Sequence, residues 1–293
     1  MGWGVGAMLA PMDTSTISQV ALDDARRALA EDIGTGDLTA ALIDPTRKCR
    51  ARILARESAI ICGAPWVEAV VHEVDREARI VWRVAEGARC SANQVVLEIE
   101  GQARALLSAE RNLLNFLQMM SGVATKTALY VAAAAGTRAA IVDTRKTLPG
   151  LRMAEKYAVR VGGGKNHRIG LFDAVLIKEN HIAAAGGIVP VLQRAAEVAP
   201  KAEFVQIEVE TLDQLREVLA AGATMILLDN MDLPMLRQAV EINAGRAQLE
   251  ISGGVTLDTV PELARTGVDR ISVGSLTKDV KAVDFSMRFE DLP

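Results

Sequence analysis

The sequence predicts an α/β protein in two parts: an α+β unit with an antiparallel sheet, then an open or incomplete parallel α/β barrel. Two observations carry the barrel. From residue 139 onward six aliphatic runs recur: AAIVD (139–143), AVLI (174–177), FVQIE (204–208), MILLD (225–229), QLEIS (248–252) and RISVG (270–274). Helical patterns stand between them at about 151–161, 188–198, 211–221, 232–243 and 257–266, bounded by Pro149, Pro200, Pro234, Gly222, Gly245 and Gly267. Strands that alternate with helices pair in parallel through helical crossovers. A closed barrel takes eight strands, so six imply an open or incomplete one, with a doubly wound sheet as the alternative. Composition is the third observation. Half of the 293 residues are hydrophobic and only 3% aromatic, so the core is aliphatic, as strands buried on both faces require.

The first part follows in chain order. Residues 1–15 lack a basic n-region and a proper apolar segment, and are expected to form a loose tail and not a signal peptide. Ser18 is expected to cap a helix through about Leu29, with Val20, Leu22, Ala25 and Leu29 on one side. EDIGTGDLTAALIDP is a loop rich in Gly, Asp and Thr. KCRARILAR (48–56) alternates small or apolar residues with basic ones, the period of a half-buried strand. Residues 64–74 look helical, and ARIVWRVAEG, NQVVLEIEG and QARALLSA are expected as strands parted by Gly87 and Gly101. The hairpin AEGARCSANQVVLEIEG superficially resembles a biotinyl or lipoyl carrier, but residues 85–107 contain no lysine to carry the group. Ser108 is expected to cap a helix running to about Ala134, with Leu113, Leu114, Leu117, Met120 and Val123 as its apolar stripe. Arg111 in its first turn would oppose the helix dipole by about 0.3–1 kcal/mol, which asks for a role beyond that of a surface arginine.

Several function classes have no support. The formal net charge is −4, against nucleic acid as the main ligand. No apolar run reaches membrane-spanning length. Cys49, Cys62 and Cys90 are odd in number and far apart, which argues against a disulfide framework or zinc site and fits a reducing cytoplasm. No G-x-G-x-x-G follows a strand, and Gly162-Gly163-Gly164-Lys165 lacks the P-loop spacing. His72, His167 and His181 show no metal-ligand spacing; His72 is expected on a helix surface, and His181 to cap or pack.

Charge is segregated at one place. Residues 144–181 hold eight Lys or Arg (Arg145, Lys146, Arg152, Lys156, Arg160, Lys165, Arg168, Lys178) against three acids (Glu155, Asp173, Glu179). Such a block calls for an anionic partner. For Arg152, Lys156 and Arg160, spaced by four, a solvated helix face is the better reading. Arg145, Lys146 and Lys178 instead sit where aliphatic runs end. The other runs end in Glu208 with Glu210, Asp229-Asn230, Ser252-Gly253-Gly254 and Gly274-Ser275. In a parallel barrel these ends share one face, where sites form. The glycine turns suit phosphate, because backbone N–H groups at a helix start bind anions. Glu208 and Asp229 could then meet ribose hydroxyls or a magnesium ion shared with phosphates, unless each is a structural ion-pair member. His167, beside Arg168, could donate a hydrogen bond to an anion.

The motifs DTRKTLPGLR, KYAVRVGGGKNHRIGLFDAVLIKENHI, QIEVET, ILLDNM, LEISGGV and ISVGSLT together resemble the carboxylating nicotinate-nucleotide pyrophosphorylases, also called quinolinate phosphoribosyltransferases. EDIGTGDLT and ERNLLNFLQMMSGVAT extend the likeness over nearly the whole chain. The resemblance implies a type II phosphoribosyltransferase-like incomplete barrel over residues 113–275 and an α/β sandwich over 16–112, completed by 276–293. It implies magnesium as cofactor, quinolinate and phosphoribosyl pyrophosphate as substrates, and nicotinate mononucleotide, pyrophosphate and CO2 as products. It further implies a homodimer, or a hexamer, in which Arg111 reaches into the other subunit's site.

By the same resemblance Thr144, Arg145, Lys146, His167, Arg168 and Lys178 hold the quinolinate carboxylates and nearby phosphate oxygens. Glu208 and Asp229 contact ribose and magnesium, and Lys146, Lys178, Glu208 and Asp229 form the catalytic set. Ser252, Gly253, Gly254, Val273, Gly274 and Ser275 cradle the 5′-phosphate. Lys165 departs from the family pattern at a position that tolerates variation. The alternatives are a relative on the same scaffold with another acceptor, such as the pyrophosphorylase-like protein found with molybdate transport genes, or a non-catalytic sensor of an anionic metabolite.

Overall fold

The structure is a computed structural model that describes residues 13–291; most of the expected tail, residues 1–12, lies outside them. Its strands are β1 (Lys48–Ala55), β2 (Ala59–Ile60), β3 (Arg79–Trp82), β4 (Arg89–Cys90), β5 (Val95–Gln102), β6 (Ala140–Val142), β7 (Val175–Ile177), β8 (Val205–Val209), β9 (Met225–Asp229), β10 (Gln248–Ser252), β11 (Arg270–Ser272) and β12 (Phe285–Asp291). The helices are α1 (Thr14–Ile33), α2 (Ala64–Val74), α3 (Ala103–Ala133), α4 (Arg152–Val161), α5 (Glu179–Ala185), α6 (Ile188–Val198), α7 (Leu212–Ala220), α8 (Leu233–Asn243), α9 (Val260–Ala264) and α10 (Ser275–Lys278). Two compact units result. One takes Leu129–Lys146 and Gly164–Ser275; the other takes the remaining described residues.

The second of these units holds an antiparallel sheet in the order β12-β1-β5-β3 and a small β2–β4 pair. The basic residues of β1 have a structural use. Arg50 and Arg52 lie opposite Glu100 and Glu98 in the β1–β5 register and form ion pairs with them, so one face of the sheet is a charge ladder and the other is core. Helix α1 begins before Ser18. Asp13 caps it, its Oδ1 accepting from Thr16 N at 2.7 Å, while Ser18 Oγ donates back to Thr14 O at 2.9 Å. The expected tail therefore overlaps the helix at Thr14 and Ser15.

QARALLSA is not a strand. β5 runs straight into α3, because Ala103, Leu106, Ala109, Leu113, Leu117 and Met120 are buried at spacings of three and four. Ser108 therefore lies inside the helix and does not cap it; its Oγ donates to Asp37 Oδ2 at 2.7 Å and to Arg104 O at 3.2 Å. Arg111 is exposed in the third turn, where the dipole argument has no force.

α4, expected as a barrel crossover, counts with this unit, where Tyr157 meets Trp66 at 5.3 Å between ring centroids. Its basic residues do not form one solvated face: Arg160 is exposed, but Lys156 and Glu155 are fully buried. Ala154, Ala158 and Val159 are buried as well, so burial extends over more than one side of the helix and takes in part of the basic stripe.

The other unit is the expected α/β layer. Its six strands are parallel in the order β6-β11-β10-β9-β8-β7, flanked by α6, α7 and α8 at nearly the expected bounds. α9 is shorter than expected, and α5 was not expected at all; His181 caps it, Nδ1 accepting from Lys178 N at 3.0 Å. β6 and β7 are the two sheet edges, so the barrel is not closed by strands. Residues 165–174 bridge them. Lys165 pairs with Val142 of β6, its N donating to Ile141 O at 2.8 Å and its O accepting from Asp143 N at 3.1 Å, and Arg168 Nη1 donates to Ala174 O next to β7 at 3.3 Å.

The register fixes which side chains share a face. Glu208, Leu227, Glu250 and Arg270 are in line across β8, β9, β10 and β11, and Asp229 is in line with Ser252 one layer higher. In a parallel sheet such partners point the same way.

Candidate active site

The six strand ends lie along one edge of the sheet in a definite order. From β6 to β7 they carry Thr144-Arg145-Lys146, Gly274-Ser275, Ser252-Gly253-Gly254, Asp229-Asn230, Glu208 with Glu210, and Lys178. Cations thus stand at both flanks, with the two glycine turns next to β6 and the carboxylates next to β7.

On the β6 flank Asp143 is fully buried and organises the cationic loop. Its Oδ1 accepts from His167 N at 2.8 Å and its Oδ2 from Asn166 Nδ2 at 2.6 Å. Asp173 closes the same loop, accepting from Ile169 N at 2.6 Å and Gly170 N at 2.8 Å. The loop thereby fixes Arg168, which is only 8% exposed. Burial, and then the neighbouring Arg145 guanidinium, push its pKa down from the ordinary arginine value. Two neighbouring guanidinium groups, one of them desolvated, can receive an anion, which would relieve the repulsion. Gly274 belongs to this flank too: a Cβ there would lie 3.2 Å from Lys146 Cδ and 3.6 Å from Thr144 Oγ1. Thr144 Oγ1 accepts from Lys146 N at 3.0 Å, which turns the chain as it leaves β6.

On the other flank Lys178 Nζ lies 3.3 Å from Glu208 Oε2. Carboxylate oxygens of Glu208, Glu210 and Asp229 all lie within 4.8 Å of one another. Burial is the main cause of a raised Glu208 pKa; Lys178 opposes it, and Asp229 and Glu210 add to it. Three hard oxygen donors this close suit a divalent cation such as magnesium.

Between the flanks, Asn230 has a φ of +54° and donates from Nδ2 to Asp229 Oδ2 at 2.8 Å. Its Oδ1 lies 2.1 Å from where a Cβ of Gly253 would stand, so glycine there spares the asparagine a rotation as well as suiting the φ of +100°. Gly254, with φ of +60°, has nothing within 4 Å of that position and leaves room for a ligand.

Arg145, Lys146, Arg168, Lys178, Glu208, Asp229, Ser252, Gly253, Gly254, Val273, Gly274 and Ser275 thus gather at this edge. The ring of His167 does not. It is 5% exposed, Nε2 lies 2.8 Å from Gln206 Oε1 and 3.7 Å from Glu250 Oε1, and Nδ1 accepts from Arg168 N at 2.8 Å. Arg111 belongs to the other unit. Sequence reasoning placed Asn230 and Glu210 among the polar strand ends without giving them a role, and missed Asp143, Gln206 and Glu250. Asn230 had a signal, since Asn tolerates the left-handed region after a strand. Gln206 and Glu250 had one too: a polar residue inside an aliphatic run marks a position that packing alone does not explain.

Comparison with known proteins covers both units. Residues 37–121 match the N-terminal domain of the quinolinate phosphoribosyl transferase family, and residues 123–288 match its C-terminal domain. The chain is 43% identical to the probable nicotinate-nucleotide pyrophosphorylase [carboxylating] of Bacillus subtilis over 88% of its length and 89% of that protein. It is also 43% identical to the Mycobacterium leprae nicotinate-nucleotide pyrophosphorylase [carboxylating], covering 91% and 96%. The solved nicotinate-nucleotide pyrophosphorylase of Francisella tularensis superposes with a TM-score of 0.90 at 42% identity, covering 93% of this chain and 97% of that one.

Proposed function

The chain belongs to the quinolinate phosphoribosyl transferase family, and from that premise we infer that it transfers phosphoribosyl from phosphoribosyl pyrophosphate to quinolinate with loss of CO2. The products are nicotinate mononucleotide, pyrophosphate and CO2, a step of NAD biosynthesis. The observation that carries the assignment to this site is the order along the sheet edge: a guanidinium pair, two glycine turns, and a carboxylate cluster beside a lysine.

Each part has a task. Arg145 and Arg168 clamp the dicarboxylate, with Lys146 and Lys178 as point charges for carboxylate or phosphate oxygens. The Ser252–Gly254 and Gly274–Ser275 turns take the 5′-phosphate through backbone N–H groups. As the ribose–pyrophosphate bond breaks and the bond to the ring nitrogen forms, positive charge develops on the ribose, and Glu208 stabilises it. The ring nitrogen then carries a positive charge. When the adjacent carbon–carboxylate bond breaks, the electron pair left on the ring is stabilised by that charge and takes up a proton. The protein contributes position, charge neutralisation and exclusion of water. Glu208, Glu210 and Asp229 would hold magnesium, which when bound neutralises pyrophosphate charge.

The working unit in this reading is a homodimer, or a hexamer built from it, in which the exposed Arg111 completes the partner's site. Cys49, Cys62 and Cys90 are buried free thiols, and among the described residues no single helix is long and apolar enough to cross a membrane; both fit the cytoplasm. The test is CO2 release from carboxyl-labelled quinolinate with magnesium. Release that requires phosphoribosyl pyrophosphate supports the reading. No release from folded protein moves the assignment to a relative with another acceptor.

A further inference from the structure

Beneath the strand-end cluster lies a polar group that the reaction does not use directly. Gln206 and Glu250 are fully buried, and Ser272 and His167 nearly so. Glu250 Oε2 accepts from Arg270 Nε at 2.8 Å, and its Oε1 accepts from Ser272 Oγ. Gln206 Oε1 faces His167 Nε2 at 2.8 Å, and Glu250 Oε1 lies 3.7 Å from the same nitrogen. On its far side the imidazole accepts the Arg168 backbone N–H through Nδ1 at 2.8 Å.

A second observation says this arrangement is not packing alone. Among the described residues, Gln206 Nε2 and Arg270 Nη2 are buried without a hydrogen-bond partner. Each such donor costs stability, and a leucine in the aliphatic strand β8 would avoid the cost at Gln206. The strand keeps a glutamine whose one satisfied contact is the histidine.

We propose that Gln206 and Glu250 are positioning residues for the acceptor clamp. They hold the proton of His167 on Nε2, which leaves Nδ1 free to accept from the Arg168 N–H and so fixes the direction of the Arg168 side chain. Asp143, accepting from His167 N, fixes the preceding peptide. The chain of contacts is Glu250 and Gln206, His167 ring, Arg168 backbone, Arg168 guanidinium. The proposal rests on Arg168 binding the quinolinate carboxylate.

The experiment compares Gln206→Leu, Glu250→Gln and Arg168→Ala with the wild type in steady-state kinetics on quinolinate and on phosphoribosyl pyrophosphate. Nitrogen NMR of the imidazoles reads the tautomer, and with three histidines in the chain His167 is assigned by difference. Loss of one oriented contact predicts a KM for quinolinate raised about tenfold in Gln206→Leu, with the KM for phosphoribosyl pyrophosphate within about twofold. The wild-type His167 should carry its proton on Nε2, and Gln206→Leu should shift it toward a mixture. A wild-type His167 protonated on Nδ1 overturns the proposal even if the variants fail to fold. An unchanged KM for quinolinate in a folded Gln206→Leu, or both KM values rising together, overturns it too. If Arg168→Ala leaves the KM for quinolinate unchanged, the site assignment itself has failed; if Arg168→Ala raises it and Gln206→Leu does not, only this inference has.

Discussion

Replacing Gly253 by alanine probes the turn after β10 with a cost that follows from the coordinates. The new Cβ would sit 2.1 Å from Asn230 Oδ1, 2.9 Å from its Cγ and 3.2 Å from its backbone nitrogen. The first two contacts involve a side chain that can rotate; the third is backbone, tied by the 3.0 Å bond from Asn230 N to Ser252 O. Rotating Asn230 away forfeits its hydrogen bond to Asp229 Oδ2, a net loss of about 0.5–1.5 kcal/mol. Holding an L side chain at the Gly253 φ adds roughly 1–3 kcal/mol. The sum, about 1.5–4.5 kcal/mol, corresponds to a melting temperature lowered by roughly 3–15 °C.

Gly254→Ala is the matched control. It bears only a left-handed backbone term of about 1–2 kcal/mol, since nothing lies within 4 Å of its Cβ position. Thermal denaturation and substrate KM values for both variants separate the effects. Gly254→Ala should keep most of its stability yet raise the KM for phosphoribosyl pyrophosphate, because its methyl enters the space assigned to the 5′-phosphate. Gly253→Ala should lose stability and also weaken that substrate by turning Asn230 and Asp229. Equal melting temperatures for the two variants would refute the steric reasoning. An unchanged KM in Gly254→Ala would remove the phosphate from this turn.

Four further expectations concern the charges. The raised Glu208 pKa means that the native state binds this proton more tightly than the unfolded chain does. Its contribution to stability is therefore full below the ordinary glutamate value of about 4.3 and is lost as pH rises through the native value, so Glu208→Gln should raise the melting temperature near neutral pH and lose that advantage at about pH 4. Lys178→Met should push the Glu208 titration higher still and Asp229→Asn should lower it, which carboxylate NMR would read; movement in the opposite directions would contradict the site electrostatics. Lys146→Ala and Arg168→Ala should each reduce kcat/KM by roughly 10–100-fold, the worth of a charge-assisted hydrogen bond, and near-normal turnover would make the site assignment wrong. Chelation should abolish turnover and magnesium restore it, while Glu210→Gln should raise the magnesium concentration needed; insensitivity to chelator would leave the carboxylate cluster without that role.

The sequence by itself determined the parallel layer, because aliphatic runs of strand length alternate with helical stretches that return the chain for parallel pairing, and the polar ends then share an edge. Arg145, Lys146, Lys178, Glu208, Asp229 and the glycine turns were legible for that reason, and family likeness supplied the substrates. Local periodicity misled where two periods coincide. QARALLSA alternates well enough for a strand, but Leu106, Ala109 and Leu113 close a helical stripe, and the fold used it. The spacing of Arg152, Lys156 and Arg160 fitted a wet face, but one of the three is fully buried.

Only the tertiary structure decided that residues 165–174 bridge the edges of an open barrel. Nor did the sequence assign α4 to the other unit, or turn His167 from the strand-end edge onto Gln206 and Glu250. These are contacts between residues far apart in the chain. Strand register and burial set them, and neither is written in the spacing of neighbouring residues.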